Sequence, residues 1–443
     1  FRHSSPLYSP LSKFCAVCAF LSAAMVAGLC GCQLFTAETD NLLAAPKLTG
    51  ELQPIGAALS SGIKGEYTLR YPSGGDRRSA VILEDIDRDG VREAFAFYSR
   101  GEEEMHLVMI KRRGEKWVVS DDTSLVAGGV EKIEFYDFDG DGTDEINVGW
   151  EIHGAADKQL SVYNVRSDKF EQIFQQKYTA YIGCNLDMDG PDELFLQLLS
   201  SADQTNRAYV FRYEDGEFRE YSSCAMDRGV KSIVSQRALP LSSGQTAVYV
   251  DELKNAGAVT EVLFLSKGQL VNPLLDSTSV ENSRTERAAS IELSDMDMDG
   301  LIEIPIAEEI PAVTGSVEKC YYTHWCSFNG ESLTVKRTDL INQSDGFYMV
   351  IPEKWIGHIA VYRDTEKRLR EFYALDDNGQ PTARLAQLRT VKIKEWDKGS
   401  YPRSGLTELL RNKETVLAGS VNPQAGALAI GMDVFKRQLF ILD

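Results

Sequence analysis

Four stretches of the chain obey one pattern, D/N-x-D-x-D-G-x-x-E, and that pattern limits the fold more than any other feature. They run Asp85-x-Asp87-x-Asp89-Gly90-x-x-Glu93, Asp137-x-Asp139-x-Asp141-Gly142-x-x-Glu145, Asn185-x-Asp187-x-Asp189-Gly190-x-x-Glu193 and Asp295-x-Asp297-x-Asp299-Gly300-x-x-Glu303. Their starts lie 52, 48 and 110 residues apart. Carboxylates at positions 1, 3 and 5 of a tight loop converge on one point. Glycine at position 6 permits the sharp turn, and an acid at position 9 can close an oxygen shell. Calcium takes six to eight hard oxygen ligands at about 2.3–2.6 Å, and such loops are built to supply them. An EF-hand shares the first half of the pattern, but its closing Glu stands at position 12 between helices. Without a cation the clustered carboxylates repel one another, although Asp and Gly also favour bare turns. Asn185 lowers the charge of the third loop.

Strand-like runs flank the loops. Ser79–Leu83 and Lys132–Tyr136 precede two of them; Ala94–Tyr98, Ile146–Trp150 and Leu194–Leu198 follow three. Further hairpins are expected across Arg113-Gly114, Arg166–Asp168 and Asp215-Gly216. About four strands per unit of 50 residues is the arithmetic of a propeller blade. The last interval is close to two repeat lengths, so a unit with a degenerate loop is expected near Leu241–Gly244, before the apolar Ala247–Val250.

The recurring loop, followed by a strand, resembles the FG-GAP/VCBS repeats of integrin-α-like β-propellers. Leu42-Leu43, Pro46–Gly50 and Tyr71–Gly74, leading into the first loop, resemble a group of Firmicutes lipoproteins. The resemblance covers roughly residues 42–340 and implies Ca2+ in the loops as structural staples. The expected fold is therefore mainly β: a β-propeller-like array of Asp-loop blades over 65–343, then a small α+β domain over 344–443. In that domain strands are expected at Phe347–Ile351, Ile359–Tyr362, Leu369–Leu375 and Leu388–Trp396, with the last stretch, Ala427–Leu442, helical.

The N-terminus reads as an address. Arg2 and Lys13 precede the apolar run Phe14–Gly28, which is too short for a membrane span of about 20 residues and suits a signal peptide core. Leu29-Cys30-Gly31-Cys32 resembles a bacterial lipobox and makes Cys32 the lipidated residue. Residues 1–32 are thus expected to be signal peptide and lipobox. Residues 33–64 form a tether and a short capping helix, with Leu52, Ile55 and Leu59 at helical spacing. The location implied is the cell membrane, lipid-anchored, on the extracellular face.

Charge narrows the partners. A net charge of -19 repels nucleic acid and anionic headgroups. Of the eight cysteines, Cys184, Cys224, Cys320 and Cys326 lie in the body, too few for a disulfide framework. Cys320 and Cys326 can pair only if a turn lies between them, and burial as thiols is the commoner fate.

Catalytic patterns are missing from the sequence. The five histidines (3, 106, 153, 324 and 358) form no metal-ligand spacing. There is no G-x-S-x-G, P-loop or G-x-G-x-x-G. Ser61–Lys64 and Ser316–Lys319 fit S-x-x-K without companion motifs. Tyr321–Trp325 is an aromatic cluster suited to a core, a hairpin surface or a ligand groove. The expectation is a non-enzymatic envelope lipoprotein that binds or scaffolds an extracellular protein or glycan. The alternatives are a glycan lyase or hydrolase on a calcium-binding propeller and a structural subunit of a surface complex.

Overall fold

A computed structural model describes residues 50–442, apart from 102, 155–157, 201 and 400–404. The expected signal peptide, lipobox Cys32 and most of the tether lie outside the described residues.

The chain is mainly β and runs through six antiparallel sheets in sequence order. The first holds Thr68–Arg70, Val81–Glu84, Glu93–Arg100, Glu104–Arg113 and Lys116–Val126. The second is the meander Gly129–Tyr136, Glu145–Glu151, Lys158–Arg166 and Lys169–Tyr178. The third repeats it with Ala180–Cys184, Glu193–Ser200, Thr205–Glu214 and Glu217–Ala225. The fourth consists of Ser232–Pro240, Thr246–Leu253, Ala258–Ser266 and Gln269–Val271. It supplies the unit expected in the long interval, with Leu241–Gly244 as a short turn.

The fifth sheet contains Ile304–Ile310, Cys320–Phe328, Leu333–Asn342, Phe347–Val350 and Leu439–Ile441. The sixth contains Ile359–Asp364, Leu369–Leu375, Pro381–Lys392, Thr407–Arg411 and Thr415–Val421. Phe347–Val350 pairs with Leu333–Asn342, so the fifth sheet runs across residue 343.

Burial explains why the sheets stack. Phe95, Phe97, Ile133, Val148 and Trp150 fill the space between the first and second sheets. Phe138, Leu160, Tyr181, Leu194 and Phe211 fill that between the second and third. Similar cores join the third to the fourth, the fourth to the fifth and the fifth to the sixth. The middle strands, with both faces covered, read as unbroken apolar runs such as Ala94–Tyr98.

The outer face of the first sheet carries the expected helix, α1 (Gln53–Gly62). Its Ile55, Ala58 and Leu59 lie one turn apart and pack on Val81, Ala94, Ala96, Val108 and Ile110. Pro54 starts the helix where its missing N–H costs nothing. At the other end α1 nearly touches the sheet: a Cβ on Gly62 would sit 2.5 Å from Val119. At the far edge of the array α2 (Ile393–Asp397) places Trp396 against Val391, Val416 and Ala418. Terminal units of a repeat array need such covers.

Two local expectations change: the strand expected over Leu388–Trp396 ends at Lys392, where α2 takes over, and the last stretch is helical only in part. The segment Ala427–Leu442 is helical only over α3 (Met432–Arg437), and Leu439–Ile441 adds a strand to the fifth sheet. Cys320 and Cys326 share the extended strand Cys320–Phe328 and are free, buried thiols. At about 3.3 Å per residue the strand holds them far beyond disulfide reach. Among the described residues no helix is long and apolar enough to cross a membrane.

Candidate metal centres

The first three Asp loops join the first loop-flanking strand of their sheet to the next, as a hairpin connection. The fourth leads into Ile304–Ile310 and is closed at its base by a bridge between Ser294 and Glu303. Each loop folds the same way, and each part of the motif has a physical task. Position 6 lies at positive φ in all four: Gly90 at 88°, Gly142 at 89°, Gly190 at 139° and Gly300 at 86°. Only glycine adopts these without strain. Position 4 is also left-handed, and here Arg88, Met188 and Met298 bear the strain while Gly140 does not.

The first carboxylate ties the loop. In the first loop Asp85 accepts from the N–H groups of Asp89 (3.1 Å) and Gly90 (3.0 Å). Asp137 accepts from Gly140 (2.8 Å) and Gly142 (3.1 Å). Asp295 accepts from Asp299 (3.1 Å) and Gly300 (3.0 Å). Asn185 instead donates to the Gly190 carbonyl at 3.1 Å, so the third loop is held without that charge.

The position 9 glutamate closes the loop from inside. Its Oε2 accepts from the N–H of position 2: Glu93 from Ile86 (3.3 Å), Glu145 from Phe138 (2.8 Å), Glu193 from Leu186 (2.8 Å) and Glu303 from Met296 (2.8 Å). Oε1 remains, and here the loops divide. The ladder pairs Ala94 with Ile110, Ile146 with Tyr163, Leu194 with Phe211 and Ile304 with Cys326. Extending each by one residue sets Lys111, Asn164, Arg212 and Ser327 opposite the four glutamates. Lys111 lies 3.6 Å from Glu93 and 3.8 Å from Asp87. Arg212 pairs with both Glu193 (3.0 Å) and Asp187. Among the described residues no cation pairs with Glu145 or Glu303 themselves; Lys336 reaches only the aspartates of the fourth loop, 3.7 Å from Asp297 and 3.4 Å from Asp299. The Oε1 atoms of Glu145 and Glu303 are buried without a donor, in residues 1 % and 0 % exposed.

Most of the sequence-predicted ligands come together, while Asp89, Asp141 and Glu303 fall outside the convergent sets. Asp85, Asp87 and Glu93 offer oxygens within 4.8 Å of one another, as do Asp137, Asp139 and Glu145, and Asp187, Asp189 and Glu193. In the fourth loop the convergent set is Asp295, Asp297 and Asp299, and Glu303 falls outside it. Asp89 and Asp141 spend one oxygen each on the N–H groups of Val91 and Thr143. Burial, reinforced by the neighbouring aspartates, pushes the Glu145 carboxyl up to about 8 and Glu193 up to about 7. Burial raises Glu93 and Glu303 as well. An all-oxygen set of this charge fits a hard divalent cation, which would favour the ionised carboxylates.

The first three loops also form a row. The Asp144 N–H donates to the Ile86 carbonyl (2.7 Å), and the Asp192 N–H donates to the Asp137 carbonyl (3.0 Å). Arg88 reaches from the first loop to Asp144 (2.8 Å) and Asp137 (3.6 Å) of the second. One loop's conformation therefore bears on its neighbour's.

Other sites read from sequence fall out differently. His324 is buried between Thr338 and Glu308, each 2.9 Å away, and Trp325 donates to Asp339. Ser316 bonds backbone carbonyls while Lys319 pairs with Glu309, so this S-x-x-K does not join hydroxyl to amine. Sequence reasoning missed one carboxyl pair. Glu252 lies beside Glu261; its Oε1 accepts from Gln197 and Asn206, and burial holds its pKa well above the usual range. Both glutamates are fully buried, where no substrate reaches them.

No protein-family model matches the chain, and no curated protein does. Among solved structures, Sqt1 of Saccharomyces cerevisiae is similar over 70 % of this chain and 74 % of its own, at 13 % identity and a TM-score of 0.36. A rhamnogalacturonan lyase PL11 of Bacillus licheniformis is similar over 58 % of this chain and 65 % of its own, at 10 % identity and a TM-score of 0.32. The exotype rhamnogalacturonan lyase YesX is similar over 72 % and 65 %, at 13 % identity and a TM-score of 0.30. Such neighbours are β-propeller-like proteins, and TM-scores this low carry no argument about activity.

Proposed function

We propose that the chain is a non-enzymatic, lipid-anchored envelope protein whose sheets form a propeller-like scaffold stapled by calcium, presenting a surface to an extracellular protein or glycan. One observation carries the calcium reading: a buried, donorless Glu Oε1 beside clustered aspartates, with Glu145 inside the convergent set of the Asp137 loop and Glu303 next to that of the Asp295 loop. An unpaired buried oxygen of this kind is costly, and a cation removes the cost. In the Asp85 and Asn185 loops Lys111 and Arg212 pair with the closing glutamate itself, whereas Arg88 and Lys336 reach only aspartates of the Asp137 and Asp295 loops, so calcium binds more weakly in the first two. The metal's task is structural: it fixes the hairpin loops and, through the row, the packing of neighbouring sheets. The lipobox reading of Cys32 supports the anchor.

Calorimetric titration of the chelator-stripped protein with calcium tests the reading. Two sites of higher affinity are expected, with Glu145→Gln and Glu303→Gln each removing one. Four equal sites would refute the division between loops, and no saturable heat would refute calcium binding altogether. Radiolabelled palmitate incorporated by wild type and lost in Cys32→Ala is the matching test of the anchor.

A further inference from the structure

A second site lies away from the Asp loops, where the last three sheets meet. A cavity of about 560 Å³ opens there, within the range that holds small ligands. Its lining carries Arg287, Lys319, Arg363 and Arg370 against a single acid, Glu286. That is a local reversal of sign in a chain of net charge -19.

The arginines have different tasks. Arg287 is spent on structure: it donates to Asp251 (2.8 Å) and to the carbonyls of Ile291 and Thr285. Arg363 bonds Glu318 (2.9 Å) and the Lys319 carbonyl, and Arg370 bonds Asp345 (3.2 Å). In both of these the Nε–H is buried without an acceptor, and the Arg370 side chain is only 5 % exposed. Asp345 serves Arg368 as well as Arg370, so Arg363, Arg368 and Arg370 share two carboxylates, and Glu286 of the lining offsets the third charge. Burial, with the Arg363 charge beside it, presses the Arg370 pKa downward. An anion in the cavity would answer both open donors. Tyr321, 45 % exposed, adds an aromatic face to the wall.

We infer that this cavity binds a small organic oxyanion, held by the Nε edges of Arg363 and Arg370 with its body against Tyr321. Guanidinium groups bind planar carboxylates and phosphates through paired donors. The inference stands independently of the calcium loops.

Calcium-saturated protein is titrated calorimetrically with glucuronate, benzoate and inorganic phosphate, and with glucose and benzyl alcohol as neutral counterparts. At least one anion is expected to bind one-to-one with a Kd of about 1 mM or tighter, and the neutral molecules are not. Binding of glucuronate or benzoate without phosphate identifies a carboxylate ligand; the reverse identifies a phosphate. Arg363→Gln is expected to weaken binding at least about tenfold without lowering the melting temperature. Arg370→Lys keeps the charge, removes the Nε edge and should do the same. If Arg370→Lys does not fold, Arg363→Gln alone decides. The inference is overturned if none of the three anions saturates, or if binding is unchanged in Arg363→Gln.

Discussion

At the scale of single residues, the Asp loops show how one sequence rule produces unequal sites. The D/N-x-D-x-D-G-x-x-E spacing makes each loop close on its own first and last residues. What stands opposite position 9 then decides how much charge is left. Lys111→Met should therefore free Glu93 and add one calcium site of higher affinity, read as a rise in calorimetric stoichiometry. The strain at position 4 is also testable. Met298 is 90 % exposed and left-handed, so it contributes strain with little packing. Met298→Gly should raise stability by up to about 1 kcal/mol in urea unfolding, since a non-glycine residue there costs about 1–2 kcal/mol and glycine returns part of that in chain entropy. A loss of stability would show that Met298 makes contacts the loop needs.

The Glu252–Glu261 pair gives a pH dependence at the same scale. Burial raises Glu252 well above its unfolded value of 4.5. Its contribution is therefore complete below that unfolded value and is lost as pH rises toward the folded one. Glu252→Gln preserves the shape and the hydrogen-bonding edge without the charge. Its stability advantage over wild type should be small near pH 4 and grow toward pH 8, measured by urea unfolding across that range. A constant difference would mean that Glu252 does not hold its proton in the folded state.

At the scale of elements, most strands were legible because they are apolar runs bounded by Gly and Asp turns. The loops were legible because they repeat in register. The degenerate unit at Leu241–Gly244 could be placed by interval alone, since a sheet must fill the gap between neighbours. The C-terminal stretch was not legible. An apolar run near Phe440 fits a buried helix or a strand equally, and its pairing partner Phe347–Val350 lies far away in sequence. The cations Lys111 and Arg212 were missed for the same reason: only the register of neighbouring strands brings them to the glutamates. The helix α1 was read from the spacing of Ile55 and Leu59, and its task is to cover the first sheet. Leu59→Ala should cost about 2–5 kcal/mol, as a cavity in that cover. A cost below about 1 kcal/mol would mean that the first sheet does not depend on α1.

At the scale of the molecule, six sheets stacked through shared cores make a scaffold whose ends are covered and whose first three loops are hydrogen-bonded in a row. In such an array neighbouring units stabilise one another, so a cation bound in one loop would act beyond its own sheet. The acidic chain as a whole repels anions, and the basic cavity among the last three sheets is a local exception. It was illegible in sequence because Arg363, Arg370 and Tyr321 come from different strands of two sheets.

Thermal unfolding of the unlipidated chain in calcium, in excess chelator and in magnesium tests the central claim most directly. Calcium at 100 times its dissociation constant adds about 2.7 kcal/mol per site. The account predicts a melting temperature that falls under chelator and is restored by calcium but not by magnesium. Identical curves in all three would contradict it, and the loops would then be bare Asp turns.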